Sequence, residues 1–121
     1  MATQSELIAS GLPPLLAQAL GSSINTAVAQ AGSSQGTATA LTATYSVVTS
    51  GTGGVILPSA GGMPEYAVHN VSGANCNVYP AVGQTVYGGS NTTSNTAFVV
   101  GNNKTCFFDP VGNAWVASLS A

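Results

Sequence analysis

From residue 37 onward, the chain alternates between short runs of β-forming residues and clusters of turn-forming residues. The runs are rich in Val, Tyr, Phe and Thr, and the clusters are rich in Gly, Asn, Ser and Pro, which is typical of short strands joined by tight turns. Strands so closely spaced leave little room for crossover helices. We therefore expect a mainly β fold, an antiparallel β-sandwich or jelly-roll-like barrel of about eight short strands. The candidate strands are residues 40–49, 54–57, 66–71, 75–79, 85–87, 97–100, 105–108 and 114–119.

The period-2 alternation of apolar side chains along these runs predicts which residues face the interior. In residues 66–71, for example, Tyr66, Val68 and Asn70 share one face, and Ala67 and His69 share the other. Applied to every run, the alternation predicts a core of Leu41, Val47, Val55, Leu57, Val68, Val78, Val86, Phe98, Val100, Phe108 and either Trp115 or Val116.

Residues 1–36 differ in kind and are predicted to form a helical arm and linker ahead of a β-domain at residues 37–121. Thr3 and Glu6 have the spacing of a capping box, and Pro13 and Pro14 suit the first turn of a second short helix. Residues 21–36 have Gly- and Ser-rich ends, as a flexible linker has, and residues 24–31 at the centre could form one more helical stretch.

The apolar side chains of the arm need a surface to cover, and two alternatives remain open. They either lie on their own β-domain or dock on another subunit, and the linker that follows them favours the second. The predicted docking residues are Leu7, Ile8, Leu12, Leu15, Leu16, Leu20 and Ile24.

Charge is scarce, since only 3% of residues are Asp, Glu, Lys or Arg and the net charge is −2. The single basic residue, Lys104, cannot neutralise a row of phosphates, so we expect no nucleic-acid partner. No apolar run is long enough to span a bilayer, and the amino terminus lacks the basic region of a secretion signal, so we expect no membrane partner and synthesis in a cytoplasm. A surface this poor in charge favours a chain that works in an assembly.

Residues with catalytic chemistry are few and form no known motif. The carboxylates outside the arm are Glu65, at a strand entry, and Asp109, before Pro110 in a predicted turn. His69 has neither a Gly-x-Ser-x-Gly motif nor an active-site Cys context to act with. We therefore expect no enzyme, no cofactor and no metal site. The enzymatic alternative is a hydrolase of cell-wall polymer that uses Glu65 or Asp109.

Three polar aromatic side chains and two thiols remain as candidate contacts. His69, Tyr79 and Tyr87 are predicted to lie at a self-association surface, and Tyr79 and Tyr87 beside the Asn- and Thr-rich residues 88–95 could instead stack on a glycan. Cys76 and Cys106 could form one disulfide, but cytoplasmic folding favours buried free thiols.

Several short motifs occur in an order that carries a resemblance. Residues 36–42 read GTATALT and lead into residues 45–49, YSVVT. The sequences GVILP (54–58), VHN (68–70), NVYP (77–80) and VYGG (86–89) follow, and Trp115 closes the series. Over these residues the chain resembles small virion proteins of tailed bacteriophages and prophages, namely head decoration (cement) proteins, head fibres and small tail-fibre modules.

This resemblance implies a mostly trimeric β-structure whose amino-terminal segment attaches to the particle, with no catalytic motif. The short arm and the absence of a long shaft favour one member of the group. We expect a non-enzymatic capsid decoration protein that forms a homotrimer on the outer surface of the capsid and binds the major capsid protein through its arm. The alternative is a tail-fibre or receptor-binding module that binds host glycans.

Overall fold

The computed structural model describes residues 23–120, and these form a mainly β structure of ten strands without a helix. In this part of the chain there is accordingly no helix able to cross a membrane. The strands are β1 (Ile24–Gln30), β2 (Thr39–Ala40), β3 (Tyr45–Gly51), β4 (Gly53–Ile56), β5 (Tyr66–Asn70), β6 (Cys76–Tyr79), β7 (Thr85–Tyr87), β8 (Phe98–Val100), β9 (Lys104–Val111) and β10 (Ala114–Leu119).

The strands form two mixed sheets that share one hydrophobic core. The large sheet has the order β1-β3-β5-β9-β10-β7, and the small sheet has the order β2-β4-β6-β8. From β1 to β9 the chain crosses from one sheet to the other after every strand. Neighbours within a sheet are therefore usually two strands apart in sequence.

This crossing stacks β1–β2, β3–β4 and β5–β6 as three successive coils. Ile24 pairs with Tyr45 and Tyr45 with Ala67 in the large sheet, and Thr39 pairs with Val55 and Val55 with Val78 in the small one, all in parallel. Only β5–β9, β9–β10 and β6–β8 are antiparallel. The predicted all-antiparallel arrangement is therefore wrong, because alternation along a strand encodes which face is buried but not the direction of its neighbour.

The predicted helical stretch at residues 24–31 is also wrong, because Ile24–Gln30 is strand β1. Ile24, Thr26 and Val28 are β-branched, and pairing with β3 overrides the helix preference of the Ala and Gln residues between them. The large sheet thus begins well before residue 37. Residues 1–22, with the predicted docking residues Leu7, Ile8, Leu12, Leu15, Leu16 and Leu20, lie outside the described residues.

Two further boundaries differ from the prediction. The predicted strand at 40–49 is divided into β2 and β3, because the chain changes sheets between them. The predicted turn at Asp109-Pro110 instead lies within β9. Pro110 is tolerated there because β5 begins at Tyr66, opposite Phe108, so the position beside Pro110 lies past the end of that strand.

The core confirms most of the predicted interior residues. Trp115 is fully buried and meets Tyr66 edge to face, with ring centroids 5.5 Å apart, whereas Val116 is exposed. Phe98 packs against the core and meets Phe108 in the same geometry. Val47 is the exception, because its neighbours Ser46 and Val48 face inward and direct it to the outer face.

Successive coils of the chain lie close together at Gly53 and Gly54. A Cβ atom on Gly54 would lie 2.3 Å from the carbonyl oxygen of Asn77 on the adjacent strand. Gly53 has a φ of +116°, and its Cβ atom would lie 2.0 Å from the carbonyl oxygen of Gly32. Only glycine fits at these two positions.

Candidate functional site: the outer face of the large sheet

The outer face of the large sheet is the most distinctive surface of the described residues. Along β9, Cys106 and Phe108 point into the core, so Phe107, Asp109 and Val111 point outward. The registers with β5 and β10 place Ala67 and Ser118 beside Phe107, and Val116 beside Asp109. The apolar residues of the outer face are Ile24, Tyr45, Val47, Ala67, Tyr87, Phe107, Val111 and Val116.

Several of these apolar side chains are exposed to solvent. The exposed fractions are 42% for Phe107, 59% for Val111 and 44% for Tyr87. Ala67, between Tyr45 and Phe107, is buried even on this outer face. A sheet that faces water on one side normally carries polar residues there, and a contiguous apolar patch marks an interaction surface.

The titratable groups beside Ala67 and Phe107 lie at the two ends of the β5–β9 pair, and Asp109 lies between Phe107 and Val111 on β9. Tyr66 pairs with Phe108, so the next positions, Glu65 and Asp109, are neighbours at one end of the β5–β9 pair. His69 lies at the other end, where its Nδ1 atom shares a hydrogen bond with the hydroxyl of Thr105. The centre of the face, at Ala67 and Phe107, carries no charge.

Glu65 and Asp109 interact directly. The hydrogen bond between their carboxyl groups raises the pKa of Glu65, and partial burial and the negative charge of Asp109 raise it further. A raised pKa means that the folded protein favours the protonated pair. This contribution to stability is therefore present at low pH and is lost as the pH rises through the pKa of Glu65.

The two carboxyl groups are also the residues that the hydrolase alternative would use. Glycoside hydrolases separate their carboxyl groups by roughly 5 Å or more, so that a sugar or a water molecule fits between them. Glu65 and Asp109 are instead hydrogen-bonded to each other on an exposed face. The raised pKa of Glu65 is consistent with a pair of carboxyl groups that share a proton at low pH.

The structure does not bring the three predicted polar aromatic contacts together. His69 and Tyr87 are both on the outer face of the large sheet but are separated by β9 and β10. Tyr79 belongs to the small sheet, where it pairs with Ile56. Tyr79 and Tyr87 are therefore not arranged to stack on one glycan.

One side-chain group of Asn91 and one of Asn95 form hydrogen bonds within the loop region. Asn91 donates through Nδ2 to the carbonyl oxygen of Val86 at 2.9 Å, and Asn95 Oδ1 accepts from the Gly83 amide at 2.6 Å and from Gln35 at 3.2 Å. These bonds shape the loop and use groups that the glycan alternative would need.

Cys76 and Cys106 are free thiols, and both are fully buried. Cys76 lies on β6 of the small sheet and Cys106 on β9 of the large sheet. Burial raises the pKa of each thiol to about 12, although one backbone hydrogen bond to each opposes the shift.

This burial leads to a testable result. In the native full-length protein at about pH 8, we expect neither thiol to react with a disulfide reagent within minutes, because the reactive thiolate is almost absent. After unfolding in guanidinium chloride, both thiols should react, giving two equivalents per chain. A denatured chain without reactive thiols would instead show a disulfide, and rapid native labelling would contradict the burial.

Among residues 23–120, no three His, Cys, Asp or Glu side chains are grouped as metal ligands. Comparison of the whole chain with protein-family models, curated proteins and solved structures found no match.

Reasoning from the sequence did not single out Phe107 and Val111, and it named Val116 only as an alternative to Trp115 in the core, although all three lie on the outer face. A signal was present in the run Cys106-Phe107-Phe108, where apolar side chains occupy both alternating positions. A strand with two apolar faces is either covered on both sides or available for a partner.

Proposed function

We propose that the protein is a non-enzymatic structural subunit of a tailed-bacteriophage virion, specifically a capsid decoration protein. In this proposal the two sheets form a β-sandwich that self-associates, while the amino-terminal segment of residues 3–24 binds the major capsid protein. The observation that carries self-association is the exposed apolar outer face of the large sheet, with Phe107 at its centre. The resemblance over residues 36–115 supports the assignment to a virion.

A physical argument connects self-association with decoration of a particle. Copies joined through the outer face attach through several amino-terminal segments at once, so weak individual contacts combine into high effective affinity. Bridges between neighbouring capsid subunits then resist the outward pressure of packaged DNA. Neither task needs a catalytic group.

The location can be tested on intact particles. Phage particles whose genome encodes the protein are labelled with a gold-conjugated antibody against it and viewed by electron microscopy. We expect label over the outer surface of the heads. Label confined to tails would replace the decoration role with the tail-fibre alternative, and unlabelled heads and tails would contradict membership of the virion.

Self-association can be tested at Phe107. Replacing Phe107 by Ser should weaken association of the full-length protein at least tenfold, because each interface loses two apolar side chains worth about 1.5–3 kcal/mol each when buried. Analytical ultracentrifugation measures the dissociation constant. Thermal unfolding in dilute solution should change little, since Phe107 lies outside the core.

The matched control is Val99→Ser, on the outer face of the small sheet. Val99 is 47% exposed, about as much as Phe107, and pairs with Asn77 on β6. We expect this variant to associate as the unmodified protein does. Equal effects of the two substitutions would contradict an interface at the large sheet.

A further inference from the structure

The outer face has a charge polarity along its strands. Ala67 pairs with Phe107 at the centre, and His69 pairs with Thr105 at one end. The Glu65–Asp109 pair lies at the other end, and Glu65 is four residue steps, or about 13 Å of strand, from His69. Lys104, the only basic residue of the chain apart from His69, also begins β9 at this end, but it alternates with Cys106 and Phe108 and so lies on the other side of the strand from Phe107.

We propose that two copies of the protein pack outer face to outer face with their strands antiparallel, so that His69 of each copy lies over the Glu65–Asp109 pair of the other. The two-fold axis lies in the plane of the interface and crosses the strands at the level of Ala67 and Phe107. This arrangement rests on the self-association proposed above and specifies its geometry, with a dimer in place of the homotrimer that the resemblance implies.

Charge favours this arrangement over the others that use the same face. A two-fold axis along the strands places the two acidic pairs at the same level, and so does a three-fold axis along the strands. The carboxyl groups of the two copies then face each other, which is unfavourable, whereas reversing the strands places the imidazole of His69 over the carboxyl groups of the other copy. The other titratable groups on the same outer face are Tyr45 on β3 and Tyr87 on β7.

The apolar centre is self-complementary under the same axis. Phe107 of one copy meets Phe107 of the other, as an isologous interface requires. Six strands about 4.8 Å apart and roughly five residues long give a planar footprint of about 500 Å² per partner. This is below the roughly 800 Å² of a standard interface, so we expect a weak dimer that forms at high local concentration.

Sedimentation equilibrium of the full-length protein tests the geometry through two substitutions. Each one raises the dissociation constant in one arrangement of the two copies and lowers it in the other. His69→Lys should lower the dimer dissociation constant about three- to tenfold near neutral pH, because each dimer contains two such contacts and each exposed ion pair contributes modestly. Glu65→Gln should raise it about two- to fivefold for the same reason. Both effects should shrink in about 0.5 M salt.

The opposite changes in the dissociation constant would indicate an interface with parallel strands. If the strands run in the same direction across the interface, His69→Lys weakens association and Glu65→Gln strengthens it. The control Val82→Lys adds the same positive charge at a loop residue that is 78% exposed, and it should leave the dissociation constant unchanged. It thereby separates local pairing from the general effect of a net charge of −2.

Each outcome bears on a different part of the proposal. Reversed signs, or a particle of three 11.9-kDa chains, overturn the antiparallel arrangement but leave self-association standing. A full-length monomer at every concentration overturns both, while gold label on phage heads would still support a virion location. Thermal unfolding verifies that each variant is folded, and Glu65→Gln, at an exposed residue, carries the test if His69→Lys does not fold.

Discussion

Replacing Asn70 by Asp is expected to lower the free energy of unfolding by about 3–5 kcal/mol near neutral pH. Asn70 is fully buried at the end of β5. Its Nδ2 atom donates to the carbonyl oxygens of Ala74 at 2.7 Å and Val100 at 2.9 Å, and its Oδ1 atom accepts from the amide and hydroxyl of Ser72. The substitution removes both donors and places a buried carboxylate against two carbonyl oxygens.

The pH dependence of this variant has a definite sign. Burial against carbonyl oxygens favours the protonated form of the new carboxyl, so its pKa in the folded state lies above its unfolded value. The destabilisation is then largest near neutral pH and decreases as the pH falls through that raised pKa. Urea unfolding at about pH 7 and pH 4, followed by fluorescence of the single Trp, measures both free energies.

Asn75→Asp is the matched control, because it makes the same chemical change at an exposed position in the next loop. We expect its unfolding free energy to change by less than about 0.5 kcal/mol. If the two variants lose equal stability, the effect comes from charge alone and the buried network is not the cause.

Replacing Trp115 by Ala is expected to cost about 3–5 kcal/mol, the range for removing a large buried aromatic side chain. Trp115 is fully buried on β10, packs edge to face on Tyr66 and donates through Nε1 to the carbonyl oxygen of Pro58 at 3.2 Å. For a domain of this size, such a loss lowers the melting temperature by roughly 15 °C. Thermal unfolding followed by circular dichroism measures it without relying on the Trp signal.

Two companion variants separate the contributions. Trp115→Phe keeps an aromatic ring but leaves the Pro58 carbonyl without its donor, so we expect a smaller loss than for Ala. Val82→Ala, at a loop residue that is 78% exposed, should be nearly neutral. A Trp115→Ala protein that melts with the unmodified one would contradict the central place of Trp115 in the core.

The network around Asn70 shows why local alternation could reach only part of this structure. Alternation predicted that Asn70 shares a face with Tyr66 and Val68, and all three are buried. It did not predict that Asn70 is linked through Ser72 to Gln30 on β1, 40 residues away, because that contact requires the coils to be stacked. Gln30 Oε1 is a buried side-chain atom in this region without a hydrogen-bond partner.

The strands themselves show the same division. The bounds of β7 and β10 were predicted from sequence because turn-forming residues flank both runs. β1 was missed because Ala27, Ala29 and Gln30 favour a helix and lie among the β-branched residues of the segment, and pairing with β3 decides its conformation.

The amino-acid sequence by itself determined that this is a β protein, poor in charge, with most of its core residues identified by alternation. Only the tertiary structure decided that successive coils run parallel, that Glu65 meets Asp109, and that Phe107 stands at the centre of an exposed apolar face. The physical reason is the sequence distance over which each interaction acts. Alternation and turn chemistry act over a few residues, whereas the direction of a neighbouring strand and the composition of a sheet face depend on residues brought together from distant parts of the chain.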